Sequence, residues 1–290
     1  MKCARNKYVV FFVVLTGYWL LVTGYCFSAA FDDISVTARG KGMGGAFTAG
    51  ADDYSAVYWN PSALSRIRKP ELGLSYRDLY GLGLLNYSFV SYVQPGVGKG
   101  AVGFGWIRMG TTPSVGFMNY AENTIIFSYG QRIKQKFLFG VSVKYFSVAY
   151  DVKASGIGFD MAGTYLVNDR VRIAVMWYNL NNPIIRWETL AVDSIPSTLK
   201  VGTRLEFVRN NALNIDIKRK MGKQAEPSFG WEGWFMDKAI GLRAGAARQD
   251  EKLNTAYGMS VKYQNIRFDY SLEKHYSLGF SSDFSLSYGF

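Results

Sequence analysis

Histidine and cysteine are nearly absent from this 290-residue chain, which has one histidine and two cysteines. Cys3 and Cys26 both fall in the first thirty residues, so loss of that stretch would leave no thiol or disulfide chemistry. The lone histidine, His275, sits in a loop-like stretch, and a Ser–His–Asp hydrolase would have to be built around it. The chain is therefore read as a non-enzyme with no cofactor and no metal. Long apolar runs are also scarce beyond the N-terminus. Hydrophobic residues reach 49% and aromatics 16%, yet mean hydropathy is close to zero. A membrane protein of helices, each needing about 20 mostly apolar residues, would average well above that. Apolar residues alternating with polar ones give this value instead. Acids are the scarcer charge, 22 against 33 basic residues.

The one continuous apolar run has a recognisable grammar. Lys2, Arg5 and Lys7 precede an apolar stretch from Val9 to Val22, and Ser28-Ala29-Ala30 puts small residues before Phe31. This is the pattern of an export signal cleaved after Ala30, residues 1–30. An uncleaved anchor and a lipoprotein site at Cys26 are the competing readings, and Tyr25 before the cysteine disfavours the second. Without the three basic residues of the leader, the excess of basic over acidic residues gives a net charge of +8. That charge fits an anionic lipid surface. The Lys218-Arg219-Lys220 run with Lys223 is read the same way, and no nucleic acid is expected.

Residues 31–69 form a distinct segment. Gly40, Gly42, Gly44, Gly45 and Gly50 precede Asp52-Asp53, a short helix-like run and Asn60-Pro61. Glycine at this density suits backbone that turns through positive φ or lies against another surface. The residue before proline leaves the α region, so Asn60 should stop a helix. A phosphate-cradling loop would need a buried strand before the glycines. Asp52-Asp53 lacks further ligand spacing and is read as negative charge at a helix N-terminus.

From Pro70 the period is two. Phe137, Val141, Val143 and Tyr145 alternate with Gly140, Ser142 and Lys144; Leu199, Val201 and Leu205 alternate with Lys200, Gly202 and Arg204. Residues 70–290 hold about fourteen such segments, inside the range of membrane barrels. Their connections alternate between tight and long, the long ones being read at 109–123, 179–196, 219–227, 249–254 and 273–279. A soluble sandwich has no reason to sort its loops this way. The expected fold is all-β: a transmembrane antiparallel barrel of residues 70–290 with residues 31–69 as a plug in its lumen.

The spelling MGGAFTA, then ADDYSAVYWNPSAL, resembles the plug of the FadL-like outer-membrane barrels, the long-chain fatty-acid transporter superfamily. It is similar in particular to the PorV/PorQ branch. NLNNPI (179–184), IPSTLKVG (195–202) and FDY (268–270) extend the resemblance over most of the mature chain. It implies a bacterial outer-membrane location and a plug motif of Gly42, Gly44, Gly45, Asp52, Asp53, Asn60 and Pro61. Phe290, closing an aromatic alternation with Phe284 and Tyr288, looks like the signal read by the barrel assembly machinery. Two functions stay open. One is binding or transport of a small hydrophobic solute such as a long-chain fatty acid. The other is a PorV-like accessory barrel carrying secreted cargo proteins. For the first, Lys200, Arg204, Arg243 and Arg267 are the candidate head-group site and Met43 and Phe47 the candidate apolar pocket. The alternative for those cations is a ladder of internal ion pairs.

Overall fold

The period-two pattern after Pro70 becomes a meander of antiparallel strands. A computed structural model describes residues 31, 35–112, 120–149, 153–249, 251–276 and 279–290; the expected leader lies outside them. The first half contains β1 (Glu71–Asp78), β2 (Leu85–Val97), β3 (Gly100–Thr111), β4 (Ala121–Lys134), β5 (Phe137–Ala149), β6 (Ala154–Leu166), β7 (Val171–Tyr178), β8 (Ile184–Trp187) and β9 (Val192–Ser194). The second contains β10 (Thr198–Val208), β11 (Asn211–Lys220), β12 (Ala225–Phe235), β13 (Ile240–Gln249), β14 (Lys252–Tyr263), β15 (Ile266–His275) and β16 (Gly279–Gly289).

β7 pairs directly with β10, so β8 and β9 stand outside the ring as a hairpin in the long connection. β16 pairs with β1 from Gly289↔Glu71 to Ser282↔Asp78 and shuts the sheet. Fourteen of its sixteen strands thus form a closed antiparallel barrel. Closure pairs the strands of the ring on both sides, except along the first half of β6: β7 meets that strand only from Met161 to Leu166. Phe290 follows the closing strand; its N–H donates to the Pro70 carbonyl at 3.0 Å, and its ring lies against Tyr288 and Tyr92.

Alternation decides the two faces. Val141, Val143 and Tyr145, and Leu199, Val201 and Leu205, are exposed, while Gly140, Ser142 and Lys144, and Lys200, Gly202 and Arg204, are buried. An apolar exterior on a polar interior is the reverse of a water-soluble sandwich and is the pattern of a lipid-facing wall. The loop sorting is weaker than the sequence reading. β11 runs to Lys220 and β12 resumes at Ala225, and β13 and β14 are separated by two residues. A strand ladder needs backbone partners rather than apolar side chains, so charged residues there continue the strands instead of forming loops. The long connections are 112–120 and 179–197.

The second of these is built by its asparagines. Asn179 and Asn182 take positive φ (54° and 43°), which asparagine tolerates better than most residues. The Asn181 side chain then pairs with β6, accepting from Phe159 N at 3.1 Å and donating to Ile157 O at 2.9 Å. It stands in for a strand neighbour where β7 has already ended.

The segment before β1 lies inside the ring. Helix α1 (Ala38–Gly42) packs on β13–β16, and a 3-10 helix (Pro61–Arg66) packs on β3–β6, so the segment crosses the lumen. Its backbone touches glycines of the wall. A Cβ on Gly140 would stand 2.2 Å from Ser62 N, one on Gly245 2.1 Å from the Met43 carbonyl carbon, and one on Gly258 3.2 Å from Gly42 Cα. Gly44 (φ 61°) lies on Ala246, whereas a Cβ on Gly45 (φ 75°) would face Ser35 and Trp59 of the plug. Helix α2 (Ala56–Trp59) ends at Asn60 in extended backbone, and the Asn60 side chain accepts from Ser62 N to open the 3-10 helix. Asn60-Pro61 is thus a stop and a start together. Asn60 Nδ2 also donates to Thr48 O (2.8 Å) and Thr164 Oγ1 (3.0 Å), tying plug to wall.

Two substitutions test this arrangement. Gly140→Ala is expected to destabilise the barrel by about 1–3 kcal/mol in urea unfolding, through overpacking against plug backbone. Gly163→Ala, whose added Cβ has its nearest neighbour at 4.0 Å, should leave the midpoint unchanged. Equal behaviour of the two would remove the plug from the wall. Val143→Arg, at the middle of β5 on the outer face, should cost about 2–4 kcal/mol in refolding into lipid vesicles.

Candidate functional site

Charge fills one half of the lumen. Glu232 on β12 is fully buried and receives three guanidinium groups: Arg39 of α1 at 2.8 Å, Arg243 of β13 at 3.0 Å and Arg204 of β10 at 3.1 Å. Arg39 also holds Asp52 (2.5 Å) and Asp53 (2.8 Å), and Arg267 on β15 holds Asp53 (2.8 Å) and Asp269 (2.9 Å). Lys200 donates to Gly45 O at 2.6 Å, stands 3.5 Å from Asp216, and lies over the Trp59 ring. Asp216 in turn accepts from the backbone of Phe47 and Thr48, both at 3.0 Å. A buried charge is tolerated only when paired and hydrogen-bonded, and these are.

The second feature is a cavity on the side of the long connections. The space between its lining atoms, open solvent at the mouth included, is about 710 Å³. Tyr58 of the plug helix forms part of its lining. Tyr87 of β2, Ile107 and Met109 of β3, Phe146 of β5 and Tyr178 at the end of β7 supply apolar walls, with Ile195 and Pro196 from the long connection and Phe31. Polar groups are few: Glu122 and Thr124 on β4, Lys144, Asn179, Thr198 and Lys220. Lys144 is paired with Asp160 at 2.7 Å and stands over the Tyr178 ring at 5.0 Å. An apolar chamber with a few placed polar groups suits a small hydrophobic or amphiphilic molecule, and no nucleophile–base pair is in it.

No protein-family profile and no curated protein matches the chain. Solved structures do. The chain superimposes on the CymD monoaromatic hydrocarbon channel with a TM-score of 0.69 at 14% identity, covering 90% of this chain and 99% of that one. The Ralstonia pickettii toluene transporter TbuX gives 0.65 at 13% identity over 88% and 98%. A Pseudomonas aeruginosa FadL homologue gives 0.64 at 13% over 90% and 100%. The fold is that of the FadL-type channels. The similarity runs over nearly the whole length of each relative.

Against this fold the expected site residues separate into two sets. Lys200, Arg204, Arg243 and Arg267 are brought to one half of the lumen, but each faces carboxylates of the wall or plug. The geometry is the ladder of internal ion pairs and not an open head-group site. Met43 and Phe47 are fully buried, Met43 on Gly230 and Gly245 and Phe47 edge-on to Trp59, and neither lines the cavity. Asp52 and Asp53 serve as counter-ions to Arg39, and Asp53 Oδ1 also accepts from the backbone N–H of Ser55 at 3.0 Å, the residue that opens α2, although the first turn itself has no acid. The cavity residues Tyr58, Tyr87, Ile107, Phe146 and Tyr178 were missed. For the last four the signal was available: they are large apolar side chains at inward positions of the alternation, close to one end of their strands; Tyr58 lies on the plug helix, outside that pattern.

The charge network predicts a stability effect. Glu232→Gln leaves Arg39, Arg204 and Arg243 around a neutral amide and should cost about 3–5 kcal/mol in urea unfolding of the refolded barrel. An unchanged midpoint would mean that the three guanidinium groups are held by other partners.

Proposed function

We propose that this protein is a bacterial outer-membrane channel that binds small hydrophobic or amphiphilic solutes and passes them across the barrel. The observation that carries the reading is the apolar cavity against Tyr58 of the plug, open on the side of the long connections. A solute there sits against a segment that fills the lumen, so onward passage requires the plug to shift or the wall to part. The likeness in fold to a monoaromatic hydrocarbon channel, a toluene transporter and a FadL homologue supports the same chemistry. The apolar outer face supports lipid as the surrounding partner, and Phe290 at the closing strand supports recognition by the barrel assembly machinery.

The finer placement in the PorV/PorQ branch rests on the plug spelling and on one surface feature. Leu190 (91% exposed) and Val192 (61%) stand on the β8–β9 hairpin, where a secreted cargo protein could be held. Binding of oleate and of N-phenyl-1-naphthylamine to refolded protein separates the readings. Met109→Trp, which fills the cavity from a half-buried position, should weaken both by about tenfold or more, a change of about 1.4 kcal/mol, with the heat-modifiable form intact. Absence of binding, with secreted proteins co-purifying from native membranes, would replace the channel by the shuttle.

A further inference from the structure

Phe31 is placed by two contacts, and both belong to the cavity. Its backbone N–H donates to Glu122 Oε2 at 2.8 Å, and its ring meets Phe146 at a tilt with centroids 4.9 Å apart. The other oxygen of the carboxylate, Oε1, accepts from the Tyr120 hydroxyl at 2.5 Å, and Glu122 is 6% exposed. A buried carboxylate aimed at a backbone nitrogen is common at helix N-termini, but Phe31 itself lies in a turn. The nitrogen is instead the first one after Ser28-Ala29-Ala30.

Cleavage changes that atom. In the precursor it is a neutral amide with one hydrogen. Hydrolysis of the Ala30–Phe31 bond by a signal peptidase consumes one water: Ala30 leaves with the new carboxylate, and Phe31 keeps an amine that takes up a proton. The same nitrogen then carries three N–H donors and a positive charge. A charge-assisted hydrogen bond is shorter and about twice as strong as a neutral one. Its gain is larger in a poorly solvated cavity than in water.

We infer that Glu122 is the receptor for the mature amino terminus: the α-ammonium made by cleavage pairs with it and holds the Phe31 ring as one wall of the cavity. The inference rests on export with cleavage after Ala30 and deepens the channel reading by making processing complete the binding site. A terminus one residue longer would carry its charge about 3.8 Å away and present a neutral amide to Glu122.

The test uses the exported full-length precursor, purified from membranes. N-terminal sequencing should begin at Phe31. The α-amine, reductively methylated with ¹³C-formaldehyde, is titrated by NMR in wild type, Glu122→Gln and Glu122→Asp. Asp32 and Asp33, next to Phe31 in the sequence, Lys144 with its partner Asp160, Lys220, and Asp193 near Tyr120 are charged groups that also bear on the amine, and all are unchanged across the series. The wild-type amine should titrate about one pH unit or more above the Gln variant, with Asp between them. One alanine inserted between Ala30 and Phe31 should remove that elevation. Like Glu122→Gln, it should weaken N-phenyl-1-naphthylamine binding by roughly three- to tenfold. An α-amine that titrates alike in wild type and Glu122→Gln, or a mature chain beginning elsewhere, overturns the inference. An elevated α-amine in a protein that binds no probe would uphold the ion pair and strike only the channel reading.

Discussion

The structure depends on one buried carboxylate. Glu232 sits in the wall with no exposure and is matched by guanidinium groups from the plug and from two other strands. A carboxylate alone in that interior would be strongly disfavoured, and so would each arginine. Together they define where α1 must lie, because Arg39 reaches Glu232 and Asp53 at once only from that position. The plug is therefore located by charge as well as by shape. Arg267 extends the constraint from Asp53 to Asp269, and Lys200 with Asp216 pins the turn at Phe47 and Thr48.

The steric half of the constraint lies in the wall glycines. Gly140 and Gly245 sit at inward positions where any side chain would collide with plug backbone. With charge on one side and close backbone approach on both, the plug is held tightly against the wall. The free space is displaced towards the long connections, where Tyr58, Phe146 and Tyr178 line it. The same plug thus closes one route and shapes one wall of the chamber. The chamber and the obstruction are two consequences of one packing arrangement.

Much of the fold was legible because β-structure writes its two faces into adjacent residues. The alternation of Val141, Val143 and Tyr145 with Gly140, Ser142 and Lys144 reads directly as wall and lumen. Asn60-Pro61 was legible as a helix stop, since the restriction before proline is local; its second role, opening the 3-10 helix, needed the Asn60 side chain in place. The candidate site was read less well. Positive residues on the inner face were visible at Lys200, Arg204, Arg243 and Arg267, but their acids come from other strands and from the plug. Asp52 and Asp53 were visible as a pair, yet their partner Arg39 approaches from thirteen and fourteen residues away through a folded turn.

The sequence by itself determined the facing of each strand, an even ring of about fourteen of them, and a glycine-rich segment unable to form its own core. These follow from local rules: a two-residue period, turn chemistry and the surface-to-volume limit on a short segment. Tertiary structure alone decided which charges neutralise which, where the cavity opens, and that Phe31 meets Glu122 across 91 residues of chain. Such pairings depend on strand register around a closed ring and on the path of the plug through it. A one-residue change in either moves a side chain to the opposite face or to a different partner, and no local pattern records that choice.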